Sequence, residues 1–399
     1  MLFHRLRIAG MLSFGPKGID LAMKPLNVLI GPNGSGKTNF LEAFALLRAA
    51  PRDLGDPLVA DGIHAWLWQG DARDSFTLNV SARDGSGGCV QHSLTLTHRA
   101  GRPVVKDERI EPLGSSGKTA LSYLRSARED LPTWAAKGSP IVDLREPRGL
   151  LAHPPMQPTI LFSSDYHPEQ SLISFANPAD YPLLWYLREQ YEGIRLNRNW
   201  SFGPDAKLRQ PQSAHGRADF PSDAGANLPL VLSHFRGDNK RHLISALRKL
   251  FDGIVDFTCP VASGLVSLFL IERGGREIPA TRLSDGTLRY LYLLAILLHP
   301  KPPPLVAIEE PELGLHPDLL PTVADLLVDA SRRTQLVVTT HSDILVDALT
   351  EKPESIVVCE KHDGQTEMRR LDRNDLEKWL KDYRLGELWT SGELGGNRW

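Results

Sequence analysis

The chain has 399 residues, 41% of them apolar and 24% charged, with a formal net charge of −2 at pH 7. That balance suits a soluble globular core with room for an insertion or a second domain; it excludes a strongly basic protein that coats nucleic acid, though not a local basic patch. Three scattered cysteines, Cys89, Cys259 and Cys359, imply no disulfide framework, and no apolar run approaches the ~20 residues that span a bilayer, so a cytoplasmic protein without a membrane partner is expected.

Taken in chain order, residues 2–9 alternate apolar and basic as a half-buried strand does, with 18–23 as its partner. Residues 26–30 (LNVLI) form a compact apolar strand that runs into a glycine-rich turn. Phe40, Leu41, Phe44 and Leu47 then mark one face of a helix over 38–49. After Pro51 the character changes: 75–82, 90–97 and 103–111 read as strands divided by Gly/Ser/Asp turns, with a short helix near 119–129. Residues 51–154 therefore read as a lobe inserted into a core made of 1–50 and 155–399. The lobe has no sustained heptads, which excludes a long coiled-coil arm. Cys89, His92 and His98 have Cys-x2-His-x5-His spacing, but no fourth ligand follows suitably, so they read as alternating strand faces and not as a metal site.

Residues 158–163 return to a buried strand. Amphipathic helices at 179–192 and 240–251 define a helical subdomain over about 175–255, with a long Gly/Pro/Arg/Asp-rich loop at 197–226. Arg195, Arg198, Arg209 and Arg217 lie in or beside that loop, where they either contact phosphates or are solvated beside Asp and Glu. From residue 265 the pattern is regular: strand 265–271, helix 287–299, strand 305–309, helix 317–332, strand 335–340 and strand 355–359. Such alternation builds a largely parallel sheet, so the fold class expected is α/β, a mixed, largely parallel sheet with an inserted β-rich and helical lobe. The tail, 372–399, opens with a helix at 372–383 and carries Trp389 and Trp399. Its aromatics either dock on the chain's own core or form a partner-binding peptide.

Four motifs carry chemistry. The first is Gly31-Pro32-Asn33-Gly34-Ser35-Gly36-Lys37-Thr38, a complete G-x4-G-K-[ST] phosphate loop between a strand and a helix. Its glycines let backbone N–H groups form an anion nest at the helix N-terminus. Lys37 is placed to reach the β- and γ-phosphates, and the Thr38 hydroxyl to hold Mg²⁺. A second GSSGKT at 114–119 has Pro112 where the first glycine belongs and reads as a surface turn. Next, the strand Leu305-Val306-Ala307-Ile308 ends in Glu309 and Glu310: Glu309 suits Mg²⁺, and Glu310 suits polarisation of an attacking water. Thr339-Thr340-His341-Ser342 follows a core strand, where His341 can sense the γ-phosphate.

Finally, Ser284-Asp285-Gly286-Thr287 opens a strongly apolar helix and makes a second anion device, whether or not Ser284 also caps it. One chain thus has two phosphate-binding devices and one set of catalytic residues. A two-fold homodimer resolves this, each ATP lying between the Lys37 loop of one subunit and the Ser284 turn of the other.

The set GPNGSGKTN (31–39, ending in Asn39), LSDGT (283–287), EEPELGLHP (309–317) and TTHSD (339–343) resembles the ABC/SMC-like ATPases, more narrowly the RecF-like and OLD-type (overcoming lysogenization defect) ATPases. The likeness covers 1–50 and about 155–350. It implies ATP and Mg²⁺ as cofactors, catalysis by Lys37, Glu310 and His341, and ATP-induced dimerisation with Leu313, Gly314 and His316 coupling the two sites. It also implies action on DNA or on a nuclease, in repair or anti-phage defence. Two departures stand out. Ser164-Asp165-Tyr166-His167 follows a core strand where the family has a glutamine. The 58 residues after His341 lack an acidic DxD motif, so a nuclease effector is expected on a separate chain. An ATP-switched scaffold with little hydrolysis is the competing reading; a transporter subunit fits the motifs poorly.

Overall fold

The computed structural model describes residues 1–58, 62–71, 73–113, 122–126, 141–145, 169–179, 181–200 and 203–396. The strand expected at 158–163, the GSSGKT turn, the segment 164–167 and the terminal Trp399 lie outside the described residues. The chain forms two compact units. The first comprises Met1–Lys24, Gly31–Ile194 and Val358–Arg370; the second comprises Pro25–Ile30, Arg195–Val357 and Leu371–Trp399.

The first unit is built on an antiparallel sheet in the order Ile19–Ala22, Phe3–Ala9, Ser75–Arg83, Cys89–Arg99, Arg102–Leu113, Ser122–Ser126, Ile141–Arg145. Period-two alternation sends Leu6, Ile8, Phe76, Leu78, Val80, Leu94 and Leu96 to a dry face, and a register shift between Phe3 and Arg5 lets Phe3 be buried as well. On the other face Arg5 and Arg7 pair with Asp20. The dry face meets the helices Lys37–Ala49 and Pro182–Glu192, with Phe3 5.8 Å from Phe44 and 5.9 Å from Tyr191 between ring centroids. Each such ring contributes about 1.5–3 kcal/mol when fully buried.

The short helix expected near 119–129 is instead the strand Ser122–Ser126, paired antiparallel with Asp107–Ile110. The long Arg102–Leu113 strand offers a row of backbone donors and acceptors, and satisfying it outweighs a weak local helical pattern. His92 is a sheet residue with buried partners: its Nε2 lies 2.9 Å from Glu108 Oε1 and its Nδ1 lies 3.0 Å from the Tyr191 hydroxyl. Glu108 also accepts from Ser171 Oγ at 2.5 Å and from the Leu172 amide at 2.8 Å. Burial and the Glu108 carboxylate push the Tyr191 hydroxyl up, so it stays protonated.

The second unit contains a parallel sheet in the order Leu26–Ile30, Gln335–Thr339, Leu305–Glu309, Arg195–Asn197. Its strands read LNVLI, QLVVT and LVAIE, nearly continuous apolar runs of the kind a sheet covered on both faces requires. The helix Asp285–Leu297 is buried from Leu288 to Leu297 without a solvent stripe, as its all-round apolar sequence demands. The strand expected at 265–271 is two. Leu265–Val266 pairs with Gln212–Ser213 and Val261–Ala262, whereas Phe269–Glu272 pairs with Ile254–Thr258 and Glu277–Pro279. The Ser267 amide donates to the Pro260 carbonyl and extends the first ladder by one bond, and Pro260 has no N–H to continue it.

The helix expected at 372–383 stops at Leu376, and a turn at Trp379–Lys381 follows. The tail then docks on its own unit: the Leu385 amide donates to Thr350 Oγ1 and the Gly386 amide to Asp347 Oδ1, each at 3.1 Å. Trp389 is buried and donates to the Gly396 carbonyl at 2.9 Å. Own-core docking thus accounts for Trp389, while Trp379 and Tyr383 stay exposed. Among the described residues no helix is long and apolar enough to cross a membrane.

Candidate functional site

In the first unit, Gly31 to Thr38 wrap the start of the helix Lys37–Ala49. Gly36 is its N-cap at φ +96°, a conformation side-chain-bearing residues avoid, and a Cβ there would meet Thr366 Oγ1 at 2.2 Å. The first turn holds no acidic residue and no side chain caps it, a helix start whose dipole favours an anion. Lys37 is only 5% exposed and folds over the loop, donating from Nζ to the carbonyls of Gly31 and Pro32 at 2.8 Å each. Asn33, Gly34 and Thr38 are exposed.

The loop is braced from behind. Thr366 Oγ1 lies 3.0 Å from the Ser35 carbonyl and 2.7 Å from Ser13 Oγ, and Asn39 Nδ2 donates to Ser13 Oγ at 2.8 Å. Ser13 and Thr366 escaped sequence reasoning because no motif contains them. Cys359 is buried, which pushes its thiol up to about 12 against the opposing pull of Lys37, so it is not a reactive thiolate.

In the second unit the strand Leu305–Glu309 leads to Glu310, which takes a left-handed φ of +47°. The Glu310 amide donates to the Thr339 carbonyl at 3.0 Å and lies 3.2 Å from Thr339 Oγ1, tying the strand end to its neighbour. His341 Nε2 lies 3.5 Å from Glu310 Oε1. A third carboxylate, Glu312, accepts from Thr340 Oγ1 and from the His341 amide, both at 2.7 Å. Burial holds its carboxyl above the usual range, partly offset by those two bonds. Its only sequence signal is the second half of EEPE, where it stands without an assigned role.

The Ser284 turn lies in the same unit. Ser284 Oγ accepts from the Thr287 amide at 3.1 Å and caps the helix. Asp285 accepts from Arg209 Nη2 at 2.6 Å and from the Gly203 amide, and Arg209 holds its carboxyl below the usual range. Arg209 also donates to the Leu283 carbonyl at 2.5 Å and to the Gly203 carbonyl at 2.9 Å. It is neither a solvated loop cation nor a free phosphate contact: Gly203, Leu283 and Asp285 offer acceptors its planar fork can satisfy. Arg195 and Arg217 pair with Asp219. Gly286 is a point of close approach, since a Cβ there would lie 2.8 Å from the Gly314 carbonyl. Leu313 and His316 beside it are exposed, and His316 Nδ1 accepts from the Asp318 amide at 3.3 Å. Among the described residues no group of three or more His, Cys, Asp or Glu could hold a metal.

The model of the AAA_21 family, described as "AAA domain, putative AbiEii toxin, Type IV TA system", matches residues 26–347. No curated protein sequence matches the chain. The fold is similar to that of an SmcHead bound to the C-winged helix domain of ScpA, with TM-score 0.55 and 15% identity over 95% of this chain and 100% of that one. It is also similar to an Smc head domain with an extended coiled coil bound to the C-terminal domain of ScpA, from Pyrococcus furiosus. There the TM-score is 0.53 and the identity 13%, over 96% of this chain and 99% of that one.

Proposed function

We propose, from the premise that this chain belongs to the AAA_21 family and has the ABC/SMC-like P-loop fold, that it hydrolyses Mg-ATP as a nucleotide-gated homodimer. The observation that carries the reading is the pairing of two anion devices with one set of catalytic candidates. The Lys37 loop leaves the amides of its helix uncapped by any side chain, and the Ser284 turn presents a second helix start on an exposed serine. A turn of that kind completes the site of a partner copy.

In this reading Gly31 to Asn39 bind the triphosphate, and Lys37 moves from the Gly31 and Pro32 carbonyls to the phosphates. Oxygen donors of the Thr38 and Glu309 type suit a hard cation such as Mg²⁺, which would screen phosphate charge. Glu310 orients and deprotonates the attacking water. His341 reports the γ-phosphate to Glu310, and Ser284 to Thr287 close on the partner's ATP. Leu313, Gly314 and His316 join the two sites, supported by the close approach of Gly286 to Gly314.

Dimer closure then acts on DNA or on a separately encoded effector nuclease, in anti-phage defence or repair. The toxin–antitoxin wording of the family model favours the defence setting. A protein partner is favoured over bare DNA by the balanced charge of −2 and by the pairing of Arg195, Arg209 and Arg217 within the chain. The test is ATP turnover by the purified chain with and without linear double-stranded DNA, with Lys37→Ala as the blank. Turnover at the level of the blank under both conditions would leave a nucleotide-switched scaffold as the reading.

A further inference from the structure

The helix that starts at Ser284 carries a residue outside every motif. Arg289 is 1% exposed, unusual for a side chain of permanent charge. Its guanidinium carbon sits 3.8 Å from the centroid of the Trp200 ring, and Nη2 donates to the Glu310 carbonyl at 2.7 Å. Trp200 Nε1 in turn donates to the Glu309 carbonyl at 2.6 Å. The same indole meets Tyr292 edge-on, with centroids 5.6 Å apart and planes at 89°. Tyr292 is fixed at its far end, its hydroxyl 2.7 Å from both Asn197 Oδ1 and the Ser222 carbonyl. The carbonyls of both glutamates are therefore held by donors from outside the sheet. One comes from this helix directly, the other from an indole clamped between two of its side chains.

Glu310 needs such a hold. A non-glycine residue at φ +47° persists only where its surroundings over-determine it. Thr339 fixes the amide on one side of the residue and Arg289 fixes the carbonyl on the other. Burial lowers the Arg289 guanidinium to about 10, opposed by Glu312 and Glu310, so it keeps its proton at neutral pH and remains a donor.

We propose that Arg289 and Trp200 are positioning residues that set the orientation of Glu310 and make it responsive to movement of the Ser284 helix in the same chain. This rests on the ATPase reading above. In the two-fold dimer that helix start meets the partner's nucleotide. The brace thus carries engagement of the partner's ATP to the subunit's own hydrolytic glutamate.

The test compares wild type, Trp200→Phe and Arg289→Lys for kcat, KM for ATP and Tm, with Lys37→Ala as the blank. Trp200→Phe keeps an aromatic face for Arg289 and Tyr292 but deletes the N–H that holds Glu309. Arg289→Lys keeps the charge but loses the planar fork that stacks and donates together. Loss of a purely transition-state interaction predicts kcat down by about fivefold for Trp200→Phe and about tenfold or more for Arg289→Lys, with KM within about twofold. A fall in Tm with kcat per folded protomer unchanged would mean a merely structural role and overturns the proposal. Should Arg289→Lys fail to fold, Trp200→Phe decides alone. If the wild type turns over and the variants match it, the brace fails and the ATPase reading stands. If the wild type shows no Lys37-dependent turnover, both fail.

Discussion

His341 Nε2 stands 3.5 Å from Glu310 Oε1, close enough for the imidazole to guide the carboxylate and too far to bond it tightly. Both side chains are about 30% exposed, at 28% and 30%, so a ligand can reach them. A γ-phosphate arriving there would draw the histidine toward itself and change the company the glutamate keeps. Replacing Glu310 with Gln preserves size and the backbone bonds to Thr339 but removes the base. Glu310→Gln is expected to lower kcat by about two to four orders of magnitude, the usual contribution of a general base, while ATP binding survives. Dimers should then accumulate with ATP on size-exclusion chromatography with light scattering. A variant that stays monomeric with ATP, or hydrolyses at the wild-type rate, would sink the mechanism.

Ser284 has two separable duties. As an N-cap it satisfies the Thr287 amide, worth about 1 kcal/mol relative to alanine. As part of an exposed anion device it is proposed to meet the partner's ATP. Aspartate caps as well as serine but carries the wrong charge for a phosphate. Ser284→Asp should therefore keep the wild-type Tm and lose ATP-induced dimerisation, whereas Ser284→Ala should lose some of both. Dimerisation by Ser284→Asp at wild-type ATP concentrations would leave only the capping role.

Lys37 is the residue for which binding and stability part company. It holds two loop carbonyls, and hydrogen bonds to a charged group contribute about 1.5–3 kcal/mol each. Lys37→Ala should abolish ATP affinity and also lower the Tm of the nucleotide-free chain. Lys37→Arg should recover more of the Tm than of the affinity, because its planar head fits the carbonyls but not the compact phosphate nest. Calorimetric titration with ATP beside thermal melts separates the two. Equal recovery of both by arginine would contradict this division.

The motif-bearing parts of the fold were legible because they combine local periodicity with short-range chemistry. The strand LNVLI, the Gly36-capped helix and the strand ending in Glu309 and Glu310 each announce themselves within ten residues. What escaped was the set of partners. His92 looked like an alternating strand residue, and it is one, but Glu108 and Tyr191 reach it from a neighbouring strand and from a helix about a hundred residues away. Arg209 looked like a loop cation because the carbonyls it binds, at Gly203 and Leu283, carry no sequence signature. Trp200 and Arg289 belong to the same class: long-range contacts to backbone atoms that every residue possesses. The helix misread near 119–129 shows the complementary limit, since strand pairing to a distant edge overrode the local pattern.

Glu312 gives a prediction whose sign can be worked out. Burial holds its carboxyl above the ordinary value of 4.5 in the folded chain, and the Thr340 hydroxyl and His341 amide only partly counter this. Below the ordinary value both folded and unfolded chains carry the proton, and the group is neutral for stability. As the pH climbs, the unfolded chain releases its proton first. Stability is then lost until the pH passes the raised value, beyond which the loss is constant. Glu312→Gln removes the titration while retaining an oxygen for both donors. Melts with EDTA and no nucleotide should show equal Tm for the two proteins at acid pH. The variant should then gain an advantage through the carboxylate range, levelling off toward neutrality. Glu312→Ala should be worse than either throughout, because it leaves the Thr340 hydroxyl and the His341 amide unsatisfied at about 1–3 kcal/mol each. Since the alignment of His341 depends on that acceptor, Glu312→Ala should also lower kcat where Glu312→Gln does not. A Gln-minus-Glu difference that is flat with pH would mean that the buried carboxyl bears no ionisation penalty, and that Glu312 serves only as an acceptor.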